Sequence, residues 1–132
     1  RSINYPIALE AALKIKEVSY IHAEGYAGGE LKHGPIALIE KNTPCIVFAS
    51  NDKNKYDIIS NATEIKARGG YIIGVSPERN EVFDYWVFVP DAEELSPIIN
   101  VIPAQLLAYY LALNKNLDPD KPRNLAKSVT VF

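Results

Sequence analysis

Three charged residues, Glu10, Lys14 and Glu17, stand four and three positions apart in the stretch ALEAALKIKEVSYI. On a helix turning about 100° per residue they fall within roughly 60° of arc and point the same way. Two chemistries fit that spacing. One is a solvated salt-bridge ladder contributing roughly 0.2–0.5 kcal/mol per pair. The other is a proton relay in which Lys14 holds two carboxylates and tunes them. Of the two histidines, His22 and His33, only His33 sits between turn-forming residues, in GELKHGP. A loop imidazole can swing to a ligand and titrates near neutrality, although a loop histidine can equally be an ordinary surface residue. The sharpest feature is the ending PRNLAKSVTVF, where Lys127 lies between Ala126 and Ser128 in an apolar, β-branched setting. A poorly solvated amine loses its proton more easily. A lysine at its ordinary pKa of about 10.4 is neutral in only about one of 2,500 copies at pH 7, a deficit of roughly 4.6 kcal/mol that burial or nearby cations must reduce. Such a lysine suits imine chemistry; the plain alternative is a lysine on an edge strand.

These residues need elements to position them. Residues 5–21, YPIALEAALKIKEVSYI, are rich in helix formers, open with Pro6 near a first turn, and carry a small apolar stripe of Ala8, Ala11, Ala12 and Ile15 that implies close packing on a sheet. HAEGYAGGELKHGP, with four glycines in fourteen residues, reads as a long, tightly turning loop with one helical turn. PCIVFAS (44–50), YIIGVS (71–76) and WVFVP (86–90) are short continuous apolar runs, the pattern of parallel strands covered on both faces. Between the first two lies an amphipathic helix stopped by Gly69 and Gly70, completing a βαβ unit. Residues 96–114 predict a mostly apolar, largely buried helix with Ser96 as N-cap, Pro97 at its first position and a kink at Pro103. The alternation predicts a three-layer α/β/α fold with a mainly parallel sheet. Doubly wound domains begin with a strand and this chain begins with a helix, so the first strand is expected just upstream of Arg1.

The chain has 132 residues, enough for one domain with a real core. Hydrophobic residues at 48% and charged residues at 23% place it among ordinary globular chains, not disordered or fibrous ones. Net charge is −2 with scattered lysines, which argues against a nucleic-acid partner. The lone Cys45, in the apolar CIVFA, precludes a disulfide within the chain and suits a reducing, cytoplasmic compartment as a buried strand residue. No signal peptide and no apolar stretch of about 18 residues is evident, so no membrane span is expected. There is no methionine even at position 1, and the chain reads as a piece of something longer. Phosphate-cradling glycine loops, Cys/His metal spacing and nucleophile-elbow motifs are absent, so no metal or cofactor is expected. The loop after the first visible strand, SNDKNK, has no Gly and one Ser and makes a poor phosphate cradle where α/β sheets bind ligands.

ALEAALKIKEVSYIHAEGYAGGELKHGPIALI and PAQLLAYYLALNKNLDPDKPRNLAKSVTV closely resemble the C-terminal sugar-isomerase (SIS) half of the glutamine:fructose-6-phosphate amidotransferase family, nearly end to end. The resemblance implies a flavodoxin-like SIS fold, with residues 1–132 as the second SIS domain and 115–132 as its C-terminal tail. It further implies a share in converting fructose 6-phosphate and glutamine-derived ammonia to glucosamine 6-phosphate, in hexosamine synthesis. By that resemblance Lys127 forms an imine with the sugar C2 carbonyl, with Ala126 beside it in the substrate site, and Glu17 moves a proton between C1 and C2. His33 opens the sugar ring in the site of a neighbouring subunit, which implies a homodimer, and Glu10 and Lys14 form the relay behind Glu17. Arg123 and Asn124 belong to the tail that closes the site and borders the ammonia channel. The glutaminase domain and a first SIS domain, which holds the phosphate, would be partners in the same enzyme, and the isolated chain would be incomplete. Phe132 stands where a terminal Glu is usual. Two other readings remain: a phosphosugar deglycase or isomerase of the same fold, and a non-catalytic sugar-phosphate-binding regulatory module.

Overall fold

The structure, a computed structural model, describes residues 1–125. Helix α1 (Tyr5–Ser19) has Pro6 in its first turn, where a missing N–H costs nothing, and buries the small stripe Ala11, Ala12 and Ile15. Residues 20–27 carry the chain without regular structure to two short 3-10 helices, Gly28–His33 and Pro35–Leu38. Strand β1 (Pro44–Phe48), helix α2 (Lys55–Lys66) and strand β2 (Tyr71–Ser76) follow as a βαβ unit. Gly69 takes φ +94° in the turn that returns to the sheet, a conformation that side chains resist. Strand β3 (Tyr85–Phe88) and helix α3 (Ser96–Asn114) complete the fold.

The sheet is parallel throughout, in the order β1-β2-β3, with Ile46 opposite Ile73 and Gly74 opposite Trp86. Alternation along each strand sends side chains to two separate cores. On one face Leu31, Ile58, Ala62, Ile65, Ile72 and Phe83 pack beneath α2 and the first 3-10 helix. On the other, Phe48 and Val75 meet Ala11 of α1 and Ala104 of α3. Helices therefore cover both faces, giving the expected three layers. Gly74 is required by this packing, since a Cβ there would lie 2.4 Å from the Phe83 ring.

Three expectations are corrected. Ser96 is the first residue of α3, not its cap: Leu95 holds that position, and the Ser96 hydroxyl donates instead to the Glu93 carbonyl at 2.6 Å. Pro103 lies inside the helix, as expected. The helix is not largely buried. Ala104, Ala108 and Ala112 are buried, while Ile98, Leu106 and Tyr110 are all more than half exposed. A mostly apolar helix hides its packing face when the residues that pack are the small ones. Contrary to the expectation from sequence, the segment Glu93–Asn114 is long and apolar enough, by length and composition, to cross a membrane. Its inner side holds a polar knot, however. The buried Asn100 amide donates to Asn4 Oδ1 at 2.7 Å and Ser50 Oγ at 3.0 Å, and the Asn4 amide donates to the same hydroxyl at 2.8 Å. These bonds tie α3 and the start of α1 to the end of β1. Cys45 is half-buried, and burial raises its thiol pKa.

Candidate active site

Helix α1 brings the charged trio to one face as its spacing requires. Lys14 Nζ lies 2.5 Å from Glu17 Oε2 and 3.7 Å from Glu10 Oε1. The hydrogen bond to Glu17, foremost, raises the Lys14 pKa against an opposing desolvation. That hydrogen bond favours the ammonium form of Lys14 over the neutral amine. Lys14 is a fixed cation beside a carboxylate.

Beside this pair a cleft of about 370 Å³ opens between α1 and the segment after α3, lined by Lys14, Glu17, Tyr20, Arg123 and Asn124, with Lys16 at its wall. Tyr20 ends the helix in the left-handed region, φ 57°, its N–H donating to the Lys16 carbonyl at 3.1 Å. The returning chain is fastened to this end of α1. Lys115 Nζ donates to the Ser19 carbonyl at 2.6 Å, a cation where the helix dipole is negative. Further along, the Arg123 N–H donates to Tyr20 Oη at 2.7 Å, and its guanidinium carbon lies 4.1 Å from the Tyr20 ring centroid. An exposed cation–π contact of this kind is worth about 0.5–1 kcal/mol.

Of the residues singled out in the sequence, Lys14, Glu17, Arg123 and Asn124 share this cleft. Glu10 pairs with Lys14 from outside it. His33 is not brought to it. It ends the 3-10 helix packed on the α2 side of the sheet, exposed, with Nδ1 2.8 Å from Glu30 Oε2. Ala126 and Lys127 lie outside the described residues. Sequence reasoning missed Tyr20, Lys16 and Lys115. The one signal for Tyr20 was an aromatic residue three positions after Glu17, on nearly the same helical face.

The carboxyl ends of the strands, where parallel sheets usually hold ligands, are occupied from within. Lys55 Nζ donates to Glu78 at 2.7 Å, and the Asn51 amide donates to Glu78 at 3.1 Å and Asp91 at 2.9 Å. Lys55 chiefly, then Asn51, lowers the Glu78 pKa, and Asn51 chiefly lowers that of Asp91. Two ionised carboxylates there oppose a phosphate. A second, larger groove of about 650 Å³ between β3 and α3 is walled mainly by apolar side chains such as Val87, Ile102 and Leu106. Among the described residues no group of three or more His, Cys, Asp or Glu side chains could hold a metal.

A parallel three-stranded sheet with helices on both faces is the architecture of a sugar-isomerase domain. The chain belongs to the SIS domain family, whose sequence profile matches residues 1–115. It is 56% identical, over 99% of its length, to the glutamine–fructose-6-phosphate aminotransferase [isomerizing] of Synechocystis sp., and 54% identical to that of Pyrococcus horikoshii. The chain spans 22% of the length of each of these relatives. Among solved structures it superposes on the C-terminal domain of glucosamine-fructose-6-phosphate aminotransferase from Francisella tularensis with TM-score 0.85 and 43% identity, covering 92% of this chain and 36% of that one. A glucosamine-6-phosphate deaminase from Thermotoga maritima follows with TM-score 0.75 and 29% identity, covering 95% of this chain and 37% of that one.

Proposed function

We propose that this chain is the second sugar-isomerase domain of a cytoplasmic glucosamine-6-phosphate synthase and supplies the groups that move a proton and hold the sugar carbonyl. The observation that carries the reading is the α1 cleft, which sets one carboxylate, Glu17, against a fixed cation, Lys14, beneath the tail that leads to Lys127. Three residues, four steps of at most about 14 Å of extended chain, separate Arg123 from Lys127. Lys14 is paired with Glu17, and Lys127, the lysine to which the family resemblance gives the imine, follows four positions after Arg123 of the cleft wall.

The chemistry balances with these groups. The Lys127 amine condenses with the C2 ketone of open-chain fructose 6-phosphate and releases water; ammonia then displaces the lysine, leaving an imine at C2. Glu17 removes a proton from C1 as the imine nitrogen takes one up, the C1–C2 enaminol forms, and the same carboxylate returns its proton to C2 while the C1 hydroxyl releases one to leave the aldehyde. The product has an aldehyde at C1 and an amine at C2, glucosamine 6-phosphate. Lys14 keeps Glu17 oriented and offsets its charge. The phosphate is held by the first SIS domain and the ammonia comes from the glutaminase domain of the same polypeptide, in keeping with the carboxylate-filled strand ends here. His33, far from this chain's own Glu17, opens the sugar ring in the partner subunit of a homodimer.

Mixing full-length His33→Ala and Lys127→Ala enzymes, each inactive alone, tests both roles and the sharing. Random exchange puts one intact site in half the dimers, so about a quarter of wild-type turnover returns. No recovery after confirmed subunit exchange contradicts the shared site. The similarity to the Thermotoga maritima deaminase favours one alternative, release of ammonia from an amino-sugar phosphate. An enzyme that consumes glucosamine 6-phosphate and ignores glutamine would establish it.

A further inference from the structure

The geometry points to Glu30 as the positioning residue for His33: its carboxylate holds one ring nitrogen, so that the other is presented in a fixed direction to the site His33 serves. The assignment rests on the function proposed above for what His33 does there, and on three observations for the pairing itself. First, Glu30 and His33 stand three apart in the 3-10 helix Gly28–His33, where three residues make a turn and side chains at that spacing eclipse. Glu30 Oε2 accordingly lies 2.8 Å from His33 Nδ1. Second, the other two directions of this short helix are anchored. Leu31 is buried in the core beneath α2, and Lys32 Nζ lies 2.7 Å from Glu64 Oε1 on α2, so the helix cannot roll about its axis without breaking one hold or the other. The remaining direction belongs to Glu30 and His33 together. Third, that direction is open, with the His33 side chain 71% exposed and that of Glu30 66%. An ion pair so exposed contributes little to stability. What it sets is the ring.

An ionised carboxylate only accepts, so Nδ1 carries the proton in this pair, and the neutral ring keeps its lone pair on Nε2, the nitrogen turned away from Glu30. Without the carboxylate either nitrogen can carry that proton. Opening a ketose ring uses such a nitrogen in both senses. Nε2 takes the proton of the anomeric hydroxyl, the C2–O5 bond breaks as the C2 carbonyl forms, and the imidazolium then gives its Nε2 proton to O5. The ketone, a C5 hydroxyl and the neutral ring remain. Glu30 faces the positive charge that the ring bears between the two transfers. It acts only through His33.

Two ketoses separate this role from a merely structural one in the full-length enzyme. Fructose 6-phosphate closes its ring through O5, whereas 5-deoxyfructose 6-phosphate has no hydroxyl there, stays open and bypasses the step. Relative to wild type, Glu30→Ala should lower kcat/KM about tenfold for fructose 6-phosphate and less than about twofold for the 5-deoxy sugar, and His33→Ala should show the same split more deeply. Glu30→Gln keeps an acceptor for the Nδ1 proton without the charge, and should fall between Glu30→Ala and wild type. The tautomer is read separately. Carbon-13 NMR of the histidine Cδ2 positions, with the His33 signal identified by its loss in His33→Ala, should report the Nδ1–H form in wild type and a gain of the Nε2–H form in Glu30→Ala. No loss on fructose 6-phosphate in Glu30→Ala, an equal loss on both sugars, or an unchanged tautomer overturns the role of Glu30. If the tautomer changes as expected but His33→Ala slows both sugars alike, the pairing stands and the ring-opening role proposed for His33 falls.

Discussion

The two faces of the sheet are built differently. Beneath α2 the core is assembled from large side chains, Leu31, Ile58, Ile65, Ile72 and Phe83, and it closes on itself. On the α1 and α3 side the contacts run through alanines, Ala11 against the sheet and Ala104, Ala108 and Ala112 along α3, reinforced by the buried Asn4, Ser50 and Asn100 knot. Small residues bring helix backbones close and leave the long side chains on the outside, charged ones lining the cleft and apolar ones such as Ile98 and Tyr110 in the open. The first face supplies burial. The second sacrifices burial for placement, and it is the face to which the proposed function gives the chemistry.

That contrast can be broken most severely from the large-residue face. Gly74→Ala drives a methyl into the Phe83 ring and should cost about 1–3 kcal/mol, while Ile98→Ala on the open side of α3 should stay within about 0.5 kcal/mol. Denaturant unfolding of both variants checks this, and equal losses would mean that α3 is covered more fully than the chain itself covers it.

A smaller effect sharpens the same contrast through pH. On the α2 side Asp84 accepts the Ile72 N–H at 2.8 Å and faces Lys66 at 3.1 Å, and these contacts, the Ile72 N–H first, lower its pKa. A carboxyl lowered in the folded state stabilises above its unfolded value of 3.8, and the contribution fades as pH falls through the lower folded value. The Tm gap between wild type and Asp84→Asn should therefore hold from pH 7 to about 5 and shrink below 3.8. A gap that persists unchanged in acid would assign the effect to packing.

Much of this was legible in the sequence because it is local. The strands declared themselves as apolar runs, Gly69 and Gly70 marked the end of the βαβ helix, and Glu10, Lys14 and Glu17 met because helical spacing alone brings them together. What was not legible depends on which residues pack. Helix α3 reads as apolar on every side, so composition could not reveal that its alanines, not its leucines, face inward. His33 and Glu17 are sixteen residues apart, and only topology puts one by α2 and the other on the opposite layer. The Tyr20 and Arg123 contact spans 103 positions and has no sequence pattern.

The central claim is that the amine serving this cleft is Lys127, with Lys14 held charged beside Glu17. Borohydride reduction of the full-length enzyme with fructose 6-phosphate, followed by peptide mapping, tests it most directly. The account predicts a reduced sugar adduct on Lys127, lost in Lys127→Arg because a guanidinium stays protonated and forms no imine. An adduct on Lys14 or Lys32, or ordinary turnover by the arginine variant, would contradict it.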